Sequence, residues 1–289
     1  VFGGAITALV TPFRNGALDT ESLAGLVNWQ IEKGIDGLLA CGCTGEAATL
    51  TEKEHLKVIE VVMHVAGGRV PVIAGTGKND TASSIDLSIK AEALGVDAVL
   101  LITPYYNKPT PRGQIEHYTS VADAVDCPVI LYNVPGRTGT NMMPETIAEL
   151  SRHTGIVAIK DAAGSAERVT AIRNLCDIAI LSGDDPIAMA QVALGGTGVI
   201  SVVSNIAPAE MSDLVSLTAA GELERARIIQ DKLYPVIKAM FLETNPIPVK
   251  KALSIMGMIN DELRLPLVSM TEELVPELMR VLGKAGIVR

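Results

Sequence analysis

The chain has 289 residues, 48% of them hydrophobic, enough to bury a large core and more than an ordinary single domain unless the fold is a barrel. Its formal net charge is −9 and no Lys/Arg run exceeds Lys250-Lys251, so it lacks the basic face that a nucleic-acid binder needs. Gly, Pro or a charge interrupts each apolar stretch before it reaches the length of a membrane span, and four cysteines in so long a chain do not make a disulfide framework.

Read in chain order, short apolar runs alternate with amphipathic stretches. The first strand-like run is Ala5–Val10, followed by a helix that Asp19 or Thr20 can cap and that should end at Gly34. The second, Gly37–Cys41, leads into Gly42-Cys43-Thr44-Gly45-Glu46. Thr51-Glu52-Lys53-Glu54 is a capping box, and Gly67-Gly68 should close the helix it opens. Val70–Ala74 is followed by Gly75-Thr76-Gly77 and a helix from Asp80 or Thr81 to about Gly95. The remaining runs are Ala98–Thr103, Val129–Tyr132, Ile156–Lys160, Ala179–Ser182 and Gly198–Val202. Most are continuously apolar, as strands buried on both faces are. Eight strand-then-helix units predict an α/β fold, a (β/α)8 TIM barrel. The rival, a doubly wound sheet, should carry a G-x-G-x-x-G in its first turn, and none is present. Helical pattern continues past Glu222 to the end, with Pro235, Pro246 and Pro248 expected to break it. Residues 1–221 are therefore read as the barrel, and 222–289 as a C-terminal helical extension packed on it in a single unit.

In such barrels the chemistry sits at the C-terminal ends of the strands. Lys160 follows four apolar residues, and withdrawal from water favours the neutral amine that attacks ketones. A lone lysine there reads as a stem reaching the rim. Tyr132, ending the neighbouring run, changes that reading, because a phenol beside the amine can shuttle protons to a carbinolamine and an imine. The Gly42–Glu46 loop can hold a small carboxylate with N–H groups and the Thr44 hydroxyl, and Arg137 can clamp a second one. Asp184-Asp185 read as helix caps or site-lining groups rather than a metal pair, and Cys41-x-Cys43 as structural thiols. His55, His64, His117 and His153 are all placed in helices.

The chain resembles the dihydrodipicolinate synthase/N-acetylneuraminate lyase family along essentially its whole length. The resemblance is carried by Ala8–Phe13, Gly42–Glu46, Val72–Gly77, Thr103–Asn107, Tyr132–Thr138, Ile159-Lys160, Leu181–Asp185, Gly198–Val202 and Asn245–Lys250. It implies a class I aldolase-type lyase of lysine biosynthesis that joins pyruvate to L-aspartate 4-semialdehyde, with no metal or organic cofactor. In that scheme Lys160 forms the Schiff base, Tyr132 moves protons, and Thr44 and the Ile200 backbone bind pyruvate. Arg137 meets the second substrate and favours the synthase branch over the lyase branch. Tyr106 enters the proton relay from a neighbouring subunit of a homotetramer. Three positions depart from the family pattern. Cys43 replaces a relay threonine, Asp161 replaces a glutamate, and the lysine-inhibition site keeps Ala48, Leu50, His55, Asn79 and Tyr105 but differs at Ala47, Glu52 and Ser83. Ser83 removes a carboxylate for the effector's ammonium group, so feedback by lysine should be weak or absent. A retro-aldolase or dehydratase acting on a sugar-derived 2-keto acid, and a non-catalytic keto-acid sensor, are the alternatives. No basic region precedes a cleavable apolar core at the N-terminus, and the cysteine usage fits a reducing compartment, so a cytoplasmic location is expected.

Overall fold

The computed structural model describes residues 2–288. Eight parallel strands close into a barrel in the order β1-β8-β7-β6-β5-β4-β3-β2. They are β1 (Gly4–Ala8), β2 (Gly37–Ala40), β3 (Val72–Gly75), β4 (Ala98–Ile102), β5 (Val129–Asn133), β6 (Ile156–Asp161), β7 (Ala179–Ser182) and β8 (Gly198–Ser201). The ring is sealed where Ile6 pairs with Gly37 on one side and with Ile200 on the other.

The continuous apolar runs follow from a core in two layers. Ile6, Leu39, Ile73, Ile130 and Ile200 fill the barrel interior. Their neighbours Ala5, Leu38, Val72, Val129 and Val199 point outward into the shell between strands and helices. A strand sandwiched in this way has no solvated face to carry polar residues.

The helix caps follow the sequence. Asp19 accepts from the Ser22 N–H ahead of Thr20–Glu32, Thr51 and Glu54 form a reciprocal box on Glu52–Ala66, and Asp80 accepts from the Ser83 N–H ahead of Thr81–Ala93. Beyond the helix Pro208–Ala219 lie three more α-helices among the described residues, Leu223–Ala239, Ile247–Ile255 and Val275–Ala285.

Two expectations need correction, and one element was not foreseen. Pro235 lies inside Leu223–Ala239 and does not end it. It faces solvent, where water can satisfy the carbonyl its missing N–H leaves free. His153 sits in a turn before β6, its Nε2 3.0 Å from Asp123 Oδ1, rather than in a helix. A short antiparallel hairpin, Phe13–Arg14 with Ala17–Leu18, was not anticipated, although Asn15-Gly16, both at positive φ, are the residues such a turn demands.

Candidate active site

Lys160 shares the inward face of β6 with Ala158, and its cross-strand partner on β5 is Tyr132. The Lys160 Nζ stands 4.3 Å from the centroid of the Tyr132 ring. The lysine is 6% exposed and makes no hydrogen bond or ion pair among the described residues, so its stem does not run to the rim. Burial pulls its pKa down to about 8. Cys43, Asp185 and Asp184 oppose that fall, and Arg137 adds to it. Burial pushes the Tyr132 phenol well above its ordinary value, and the adjacent Cys43 thiol pushes it further. The phenol is therefore a proton donor at neutral pH. The Tyr132 carbonyl is fixed by the N–H and hydroxyl of Thr103, at 2.8 and 2.9 Å, and Tyr118 donates in turn to the Thr103 hydroxyl at 3.2 Å.

A second lysine, Lys250, is equally buried and serves as a control. Its ammonium pairs with Glu46 and donates to the Thr11 carbonyl at 2.9 Å. Glu46, at φ +53, is held on its other oxygen by the Arg264 N–H at 3.1 Å. A buried lysine with a dedicated carboxylate is structural. Lys160, which has an aromatic face in place of a partner, is available for chemistry.

Above the pair opens a cavity of about 340 Å³ lined by Cys43, Tyr132, Arg137, Asn245, Tyr105 and His55, among others. Lys160 is not on its wall, which Tyr132 lines, and its Nζ packs on the ring of that tyrosine. In the Gly42–Glu46 loop the N–H groups of Gly45 and Glu46 close a turn onto the carbonyls of Gly42 and Cys43, while those of Cys43 and Thr44 have no partner among the described residues. The Thr44 hydroxyl accepts from Asn245 Nδ2 at 2.9 Å, and Arg137 Nη2 donates to the Asn245 carbonyl at 3.0 Å. Asn245 thus braces both candidate carboxylate binders, a role that sequence reading missed. Its signal was its place in the Asn245–Lys250 segment. Ile200 is buried on the inner face of β8. A Cβ on Gly183 would come within 2.6 Å of Ala162 Cβ and 3.1 Å of Lys160 Cε, so the loop after β7 needs glycine to pass the end of β6.

Not every candidate converges here. Tyr106 is 88% exposed, at φ +72, and does not enter this chain's own site. Asn79, Ser83 and Glu52 line a second cavity of about 290 Å³, which shares His55 and Lys78 with the first. Ala47, Ala48 and Tyr105 line the first cavity, and Leu50 is buried. His55 is bound through Nε2 to the Gly75 carbonyl at 2.8 Å, and burial lowers its pKa to about 4, so the ring is neutral. Asp161 finds its explanation in Arg168, which grips it at 2.8–2.9 Å and also donates to the Met142 carbonyl at 2.8 Å. The expected helix-capping role of Asp184-Asp185 is not seen. Asp184 accepts from the Gly164 N–H at 2.9 Å, and Asp185 from those of Val202 and Val203.

Comparison with known proteins identifies the family and agrees with the fold. The profile of the Dihydrodipicolinate synthetase family matches residues 1–285. The chain is 50% identical over 290 residues to the 4-hydroxy-tetrahydrodipicolinate synthase of Pelobacter propionicus, covering 100% of both. It is 53% identical over 274 residues to that of Geobacter sulfurreducens, covering 94% of each. Its fold matches the chloride-inhibited dihydrodipicolinate synthase from Acinetobacter baumannii complexed with pyruvate at a TM-score of 0.98, with 44% identity and 100% of both chains covered. The chain belongs to the dihydrodipicolinate synthetase family.

Proposed function

We propose that this member of the family condenses pyruvate with L-aspartate 4-semialdehyde to 4-hydroxy-tetrahydrodipicolinate, through a Schiff base on Lys160. The observation that carries the assignment to Lys160 is a buried, unpaired amine against the Tyr132 ring, in a chain whose other fully buried lysine is neutralised by Glu46.

The neutral Lys160 amine adds to the pyruvate ketone. Tyr132 donates a proton to the departing hydroxyl of the carbinolamine, and water leaves. Loss of a methyl proton from the iminium gives an enamine, whose carbon attacks the aldehyde. The amino group of the second substrate then displaces Lys160 from the imine carbon as the ring closes. Thr44, the free N–H groups of its loop and the Ile200 backbone hold the pyruvate carboxylate, and Arg137 holds the carboxylate of the aldehyde. Cys43 passes protons beside Tyr132.

The active unit is a homotetramer in which Tyr106 completes a neighbour's relay. An almost fully exposed tyrosine at a positive φ, strained for a residue with a Cβ, supports that reading. Residues 222–289 act with the 1–221 barrel as one unit, supplying Asn245 to the site. No helix among the described residues is long and apolar enough to cross a membrane, and we place the enzyme in the cytoplasm. In the second cavity Ser83 offers a hydroxyl, the carboxylates of Glu52 and Asp86 are paired with Lys90, and Asp80 caps a helix, so lysine should inhibit weakly or not at all. A strong, saturable lysine inhibition in a steady-state assay would contradict this.

The substrate assignment is tested by a coupled assay in which pyruvate is offered several aldehydes. Turnover should be confined to aspartate semialdehyde. Efficient cleavage or dehydration of a sugar-derived 2-keto acid, with no turnover of the semialdehyde, would favour the retro-aldolase or dehydratase reading.

A further inference from the structure

Asp185 is 2% exposed on the loop that follows β7. Its Oδ2 accepts from the Val202 and Val203 N–H groups at 3.0 and 2.9 Å, while its Oδ1 has no hydrogen-bond partner among the described residues. A buried carboxyl with an idle oxygen is costly, and an apolar side chain would pack there more cheaply unless a cation appears nearby at some stage. The loop lies against Lys160. Leu181 of β7 is the cross-strand partner of Lys160, and a Cβ added at Gly183 would lie 3.1 Å from Lys160 Cε.

We infer that Asp185 is a positioning residue of the reaction, supplying the counter-charge for the iminium that forms on Lys160. This rests on the Schiff-base reading above. The free amine can shed its charge to escape the cost of burial, but the iminium cannot, because its positive charge is what draws electrons from the pyruvate methyl group. The Tyr132 ring on β5 packs against Lys160, and the groups whose charge acts on it are Cys43 on the loop after β2, Arg137 on the loop after β5, and Asp184 and Asp185 after β7. Arg137 repels the new cation. Asp184 is tied to the Gly164 N–H and faces the charge of Asp161. Asp185 alone combines near-complete burial, a fixed orientation and an unused oxygen. Burial raises its pKa, against the nearby Ser201 hydroxyl, which lies outside hydrogen-bonding geometry, the two N–H groups and the charge of Lys160, so a cation on Lys160 holds it ionised.

The test is Asp185→Asn, whose side-chain oxygen can still accept from the two N–H groups. Pyruvate is trapped on the intact enzyme with cyanoborohydride across pH, and the adduct is quantified at Lys160. Wild type should give a bell, rising as the amine deprotonates and falling as the iminium does. Without the neighbouring anion both limbs should move to lower pH by about one unit, and Asp184→Asn should move them less. A shorter neutral variant, Asp185→Ser, carries the same expectation should the amide not fold. Limbs that stay in place in a folded neutral variant would overturn the inference and leave a structural role only. Absence of adduct in wild type would instead overturn the Schiff-base reading itself.

Discussion

Lys160 and Tyr132 are register partners on adjacent barrel strands, and the amine of one lies over the ring of the other at 4.3 Å. The ring face stabilises a cation without supplying a proton acceptor, while the hydroxyl at its edge carries the proton. Tyr132→Phe separates these roles. It should leave melting temperature unchanged and lower kcat by about 10²–10⁴, the range for loss of a general acid–base group. A kcat within a few-fold of wild type would remove Tyr132 from the relay.

The two buried lysines should respond oppositely to removal. Lys250→Met leaves Glu46 buried and uncompensated and should destabilise by about 3–5 kcal/mol. Lys160→Met replaces an unpaired amine and should abolish turnover while leaving the fold as stable or more so at pH 7. The sign follows from linkage. Folding lowers the pKa of Lys160 from 10.5 to about 8, so between those values the folded state binds fewer protons than the unfolded one. This contribution to stability therefore rises with pH across that window, and the penalty is full below it. Melting curves from pH 7 to 10.5 should show the advantage of Lys160→Met shrinking as pH rises. A constant advantage would contradict a depressed pKa.

Cys43 stands beside Tyr132 with a thiol, a weaker hydrogen-bond donor with longer contacts than a hydroxyl. Cys43→Thr should raise kcat several-fold with KM for pyruvate little changed. Equal or lower turnover would show that the thiol is not a handicap to the relay.

Asn245 links Thr44 to Arg137. Asn245→Ala should raise KM for both substrates, each by about tenfold, the equivalent of one hydrogen-bonded brace. An effect on one substrate alone would mean that the brace serves only one of the two binders.

Much of this was legible in the chain because it is local. The βα period, the Asp19, Thr51 and Asp80 caps, and the lysine and tyrosine at the ends of apolar runs are all short-range signals. What escaped depends on contacts between distant segments. Thr44 meets Asn245 across 201 residues, and Glu46 meets Lys250 across 204. Asp185 spends its oxygen on the N–H groups after β8 rather than on its own helix, because the barrel brings the two loops side by side. Asp161 and Arg168 are only seven residues apart, but the loop between β6 and the next helix must fold back to bring them together. Pro235 misled because a proline on the wet face of a helix breaks one bond without ending the helix.

The central claim is that one amine, Lys160, carries the chemistry. Wild-type enzyme incubated with pyruvate, reduced with borohydride and digested for mass spectrometry should show a single reduced pyruvate adduct, on the peptide containing Lys160. Modification of another lysine, or none at saturating pyruvate, would contradict the account.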